Sequence, residues 1–201
     1  MNKNDCWQKA LRLHQTGKMD EAVMLCEQEL CATNSPECQR YLGFVYLKND
    51  LLEKSLSLFT LAVEAGDVKS IIGMASVYFK MKDFDNAVIY YKNALDSGDY
   101  KSCYWLGSLY EKGLGVTENR EKAIKYFQLG SEYGYLMCDR SLIYLEYMHG
   151  SFWIKICSKF KLLKLMWETF RIAINDGHDE RLSEIKLKGF NLDLDEYKNK
   201  S

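Results

Sequence analysis

Only one proline, Pro36, occurs in the 201 residues, and no strand-like run is framed by turn residues. A chain almost free of helix breakers, with apolar stripes at helical spacing, reads as all-α without a β-sheet. The charge balance excludes a further class. A formal net charge of −1 does not fit a general nucleic-acid binder, which needs a strong basic excess. Catalytic constellations are missing too. His14, His149 and His178 are the only histidines, they fall at helix ends or hairpin turns, and no HExxH, nucleophile elbow or strand-borne glycine loop accompanies them. Gly113-Leu114-Gly115 lacks the preceding strand of a phosphate loop, and Glu27 with Glu29 reads as a solvated helix face. No catalytic residue, cofactor or metal ligand is expected, and a hydrolytic enzyme is the least favoured reading.

The N-terminus lacks an apolar stretch behind a basic start, so no secretory signal is expected and the cytoplasm is the expected location. Seven cysteines form an odd set without a spacing that repeats, and Cys26 and Cys31 are too far apart for a zinc knuckle. Reduced, mostly buried thiols are expected rather than disulfides.

What the chain does have is a repeat. Leu42, Gly43 and Tyr46 recur 32 residues on as Met74, Ala75 and Tyr78, and 32 further on as Leu106, Gly107 and Tyr110. Ala62 and Gly66 recur as Ala94 and Gly98, then 36 residues later as Gly130 and Gly134. A period in this range marks stacked helical hairpins. Gly43, Ala75 and Gly107 sit where the two helices of a hairpin approach closely. Gly66, Gly98 and Gly134 end helices at positive φ. Ser35 before Pro36, Asp67 and Asp99 are placed to cap the next first helix. The hairpins are expected at about 4–32, 36–66, 68–98 and 101–134, with a fifth starting at 136 and the repeat domain running over 1–150.

Leu106, Gly107, Tyr110, Gly113, Gly115, Val116, Lys122, Ala123, Tyr126 and Gly134 resemble the Sel-one-like repeat, a relative of the tetratricopeptide repeat. The shorter turns Lys48-Asn49-Asp50 and Lys80-Met81-Lys82-Asp83 make the second and third copies intermediate between the two repeat types. The resemblance implies a right-handed α-solenoid of about five hairpins whose concave face, lined by the first helix of each repeat, binds a peptide or partner protein. It also implies a non-catalytic, cytoplasmic, bacterial-type adaptor. First-helix positions that the repeat does not use for packing give Arg40, Phe44, Lys48, Phe79, Lys80, Tyr104, Ser108, Lys112, Arg140 and Tyr144. Rings with basic groups suit a partner with acidic and apolar side chains; the competing reading is that these residues pack between repeats or are ordinary solvated lysines.

The C-terminal part carries a longer amphipathic helix, about 151–174, within a capping segment expected to reach 190. Phe152, Ile156, Phe160, Leu163, Trp167, Phe170 and Ile174 share one face, expected to seal the last repeat. Ile154, Leu162, Leu165 and Ile172 form a second line. Three fates stay open for that line: cover by Leu182, Ile185, Leu187 and Phe190, a homodimer or partner contact through the C-terminal repeat, or peripheral contact with the inner membrane. For the last, Lys155, Lys159, Lys161, Leu162, Lys164 and Leu165 are the candidate residues of a scaffold for envelope or polysaccharide assembly. Residues 191–201 are expected to fray.

Overall fold

The computed structural model describes residues 3–33, 35–150 and 152–175, and its regular structure there is helical throughout. The expected cap around Leu182, Ile185, Leu187 and Phe190, the 191–201 tail and His178 lie outside the described residues, as do the side chains of Cys6, Cys31, Phe152, Trp153, Ile172 and Ile174. The helices are α1 (Lys3–Gln15), α2 (Met19–Thr33), α3 (Pro36–Lys48), α4 (Leu52–Glu64), α5 (Ile71–Lys80), α6 (Phe84–Asp96), α7 (Ser102–Lys112), α8 (Arg120–Glu132), α9 (Leu136–His149) and α10 (Phe152–Asn175). A 3₁₀ turn, Val68–Ser70, leads into α5. Two compact units divide the chain, residues 1–123 and 124–201, and the boundary falls within α8.

In the first unit α1 pairs with α2, α3 with α4 and α5 with α6, and each hairpin packs on the next through α2 on α3, α4 on α5 and α6 on α7. Residues at the repeat period fill this core. Ala22, Ser55, Ala87 and Ala123, early in successive second helices, are all fully buried, which lets the paired backbones approach. Ser55 also donates its hydroxyl to the Gly43 carbonyl at 2.7 Å, tying α4 to α3.

Phe59 fills the slot beside it. Its ring is fully buried, and a Cβ at Gly43 or Gly73 would lie 2.8 or 2.4 Å from it. Gly73 is two positions away from the small residue the repeat predicts, Ala75, because this notch faces the previous hairpin. One repeat later Tyr91, also fully buried, occupies the place of Phe59. There Trp105 replaces Gly73 and stacks on the Tyr91 ring at 5.8 Å and 8°. The same inter-hairpin slot is thus closed once by a ring against glycine and once by two stacked rings.

Gly66 and Gly98 end their helices at φ of 90° and 89°, as expected, and Gly134 does so at 80°. Ser35 caps α3, accepting from the Cys38 amide. The acidic residues behave differently from a simple cap. Asp67 accepts the Ser70 hydroxyl at 2.6 Å and an Arg40 guanidinium hydrogen, not a helix amide. Asp99 accepts the Lys101 amide at 3.0 Å ahead of the helix. Inside the hairpins, the turn position that needs positive φ is Gly17 in the first copy but Asp50 and Lys82 in the next two. In the fourth the longer turn holds Gly115, where a Cβ would meet the Phe84 carbonyl at 2.4 Å.

In the second unit α9 packs against α10. Gly150 makes the tight corner between them, since a Cβ there would lie 2.4 Å from the Ile154 side chain and 2.5 Å from the Glu146 carbonyl. α10 does not use its expected sealing face. Phe160, Leu163, Trp167 and Phe170 of that line are exposed and Ile156 is half-buried, whereas Ser158 is buried and, of the second line, Leu165 is half-buried with Ile154 and Leu162 exposed. The long aromatic line looked like the core because it is the more apolar, but burial of Ser158 fixes the opposite rotation of the helix.

Two substitutions test the turns. Gly115→Ala should destabilise by about 2 kcal/mol or more, combining positive φ with a backbone clash. Lys82→Gly should stabilise by about 0.5–1 kcal/mol, because glycine takes φ of 61° without the Cβ penalty. Urea unfolding monitored by circular dichroism measures both.

Candidate functional site

The first helices α3, α5 and α7 hold most of the residues the repeat singles out for binding. Their surroundings sort them into two groups.

Several are occupied in joining hairpins. Arg40 on α3 pairs with Asp67 ahead of α5, both largely buried. Lys80 closes α5 onto the preceding turn, with its ammonium 2.6 Å from the Asp50 carboxylate and 2.8 Å from the Leu47 carbonyl. Phe79 packs against Phe84 at 5.6 Å and Trp105 at 5.2 Å. These three were expected on a binding face; instead their charge or ring is committed between repeats, where unpaired polar groups or gaps would be costly.

The rest remain at the surface. Phe44 is exposed on one side while its edge meets the Phe59 ring at 4.8 Å. Lys48 and Lys112 are exposed at the ends of α3 and α7. Tyr104 stands edge-on to Trp105 at 5.2 Å and 72°. Ser108 turns its hydroxyl back to the Tyr104 carbonyl at 2.9 Å, so it offers an oxygen acceptor and little else. Ile72 and Ser76 of α5 are half-buried, and Ser76 binds the Ile72 carbonyl at 2.9 Å with the Tyr91 hydroxyl 3.3 Å away.

Trp105 is the residue the sequence pattern misses. It touches Phe79, Tyr91 and Tyr104, making an aromatic cluster across α5, α6 and α7. Its signal was present: counting one period from Gly73 reaches Trp105, a large ring in a slot that is small one repeat earlier.

In the second unit Arg140 is exposed and Tyr144 half-buried on α9. On α10, Lys161 pairs with Glu146 at 2.7 Å and Lys164 approaches Glu168 at 3.9 Å. Lys155 and Lys159 each place their ammonium 5.9 Å from the Tyr147 ring. Leu162 is partly exposed and Leu165 turns inward.

Among the described residues no group of three or more histidine, cysteine or acidic side chains is placed to hold a metal ion. Cys26, Cys38, Cys103 and Cys138 are buried and Cys157 is exposed, none of the five in a disulfide. Burial, with the Asp99 charge beside it, pushes the Cys103 thiol up to about 11, so this thiol stays protonated and unreactive at neutral pH. Burial also raises the Asp99 carboxyl, the Lys101 amide and ammonium opposing it.

A carboxyl raised in the folded state opposes folding when ionised, and the penalty fades as pH falls through its folded pKa toward the unfolded value. Asp99→Asn keeps the oxygen that accepts from Lys101 and removes the charge. It should raise Tm at pH 7, and the gain should vanish near pH 3, where the wild-type carboxyl is protonated in both states. Phe79→Ala should cost about 2–3 kcal/mol and Arg40→Ala about 1–2 kcal/mol, whereas Lys48→Ala and Lys112→Ala should stay within about 0.5 kcal/mol. Denaturant midpoints of the four variants distinguish the two groups.

The comparisons with known proteins agree with this geometry. Residues 101–135 match the Sel1 repeat and residues 68–97 a tetratricopeptide repeat. No curated protein matches the sequence. Among solved structures, the chain is similar to c5321, a protective antigen of uropathogenic Escherichia coli with an SLR fold, at 19% identity and a TM-score of 0.62 over 73% of this chain; it spans only 34% of that protein. A Sel1 repeat protein from Oxalobacter formigenes matches at 20% identity and a TM-score of 0.62, covering 91% of this chain and 83% of its own. The MamA RS-1 ArsTM double mutant matches at 16% identity with a TM-score of 0.62, over 84% of this chain and 97% of its own. Residues 68–97 and 101–135 thus carry a tetratricopeptide repeat and a Sel1 repeat, and the chain shares the helical-repeat fold of these solved structures.

Proposed function

We propose that the chain is a non-catalytic adaptor that binds a peptide or partner protein on the first-helix face of its N-terminal unit. Sel1 and tetratricopeptide repeats generally mediate protein–protein interaction. The observation that carries the reading here is the surface that these first helices keep accessible to solvent. Phe44, Tyr104 and the accessible side of Trp105 supply ring surface, and Lys48 and Lys112 supply exposed ammonium groups. Large rings give contact area at low entropic cost, and cations at the rim select acidic segments. The partner best matched is therefore a segment combining apolar and acidic side chains.

Arg40, Phe79 and Lys80 serve this reading indirectly, as supports that hold neighbouring first helices in register. Arg140 and Tyr144 lie on α9 in the other unit and are not needed for it.

The test is quantitative affinity capture from native lysate with wild type and Tyr104→Ala/Lys112→Glu, followed by binding measurements on the retained protein. The double variant should fold normally and bind at least about tenfold more weakly, as expected for loss of a ring and reversal of a charge. Equal retention by both chains would remove the first-helix face as the binding surface.

A further inference from the structure

α10 presents a two-sided problem that α9 solves on one side only. Ser158 is buried, and Leu165 and Thr169 are half-buried. The other side carries Phe160, Leu163, Trp167 and Phe170, which are 68%, 60%, 66% and 57% exposed. At 3.6 residues per turn these four fall within an arc of about 80° and extend over about 15 Å of helix. Single exposed apolar residues are ordinary, but four large ones in one line mark an interaction surface.

The borders of this arc are basic. Lys155 and Lys159 follow on one edge, and Lys164 and Arg171 on the other, by the same helical spacing. Lys155 and Lys159 lean over the Tyr147 ring of α9, which keeps their ammonium groups beside the apolar line. The described acidic groups of this region lie away from it: Glu168 stands beyond Lys164 on the same border, 3.9 Å from its ammonium, and Glu146 pairs with Lys161 toward α9. The line of aromatic residues thus sits between two cationic rails.

We propose that this face of α10 docks on an anionic lipid surface, with the helix lying in the plane of the interface. Phe160, Leu163, Trp167 and Phe170 enter the boundary between headgroups and acyl chains, and Lys155, Lys159, Lys164 and Arg171 meet the lipid phosphates. The cationic rails extend their stems along the apolar line and hold their charges at headgroup level. No helix among the described residues is long and apolar enough to cross a membrane, so contact is in-plane. A second copy of the chain is a poorer occupant. Two-fold pairing of this face would set each basic border against a basic border. The surface differs from the one the sequence pointed to, since Leu165 is half-buried, and it belongs to the second unit.

The experiment uses the full chain with vesicles of phosphatidylcholine alone, or with about one-third phosphatidylglycerol. The protein should sediment with the anionic vesicles only, and about 0.5 M salt should weaken binding at least about tenfold by screening the rails. Phe160→Ser/Trp167→Ser and Lys159→Glu/Lys164→Glu should each weaken it by at least about tenfold, with unchanged helicity and melting because the side chains replaced are exposed. Brominated acyl chains should quench fluorescence in the wild type and less in Trp167→Phe. Three results overturn the proposal. One is no binding to anionic vesicles, or binding that ignores the Phe160/Trp167 change. Another is lipid-free self-association abolished by that change, which assigns the face to a second copy. The third is a Trp167 already shielded from soluble quenchers without lipid, which assigns it to cover within the chain.

Discussion

The Phe59 ring, inserted where α3 and α5 each present a glycine, is the contact on which the N-terminal unit depends. With no Cβ at Gly43 or Gly73 the ring reaches both backbones, and close packing then sets the spacing of successive first helices. Ser55 holds the same stretch of α3 through the Gly43 carbonyl. The next slot reaches an equivalent result by stacking Tyr91 on Trp105. Because the slot is rebuilt with different residues, the unit is regular in geometry while its surface chemistry changes from repeat to repeat, which lets a repeat scaffold present a specific face.

Charge divides between support and display along the same lines. Arg40 and Lys80 each reach across to the neighbouring hairpin, to Asp67 and to Asp50, so their cations are spent locally. Lys48 and Lys112 lie exposed at helix ends. The distinction follows from partner geometry rather than residue type: an acidic residue across the junction captures the long basic side chain opposite it. On α10 the balance tips the other way, with cations outnumbering the described acidic groups near them beside an exposed apolar line.

Much of the hairpin pattern was legible in residue spacing, because helix termini are local features. Gly66 and Gly98 reach positive φ where the period places them, and Ser35 caps α3. The binding face was less legible. The period identifies which residues share a repeat position, but not whether a ring points outward or into the next hairpin. Phe79 and Trp105 sit six repeat positions apart on successive first helices, and only their mutual contact makes them supports. α10 shows the same limit more sharply: its two apolar lines are both helical, and total apolarity favours the line that is the more exposed.

The sequence by itself determined the helical class, the repeat period, the glycine stops and the near-neutral charge, since each depends on a residue's own backbone preference, its spacing or a simple sum. Only the tertiary structure decided that Phe59 lies between two glycines, that Arg40 and Lys80 are tied to neighbouring hairpins, and that α10 turns Ser158 inward and its aromatic line out. Those outcomes depend on which surface arrives opposite each side chain, and a one-dimensional pattern does not contain that information.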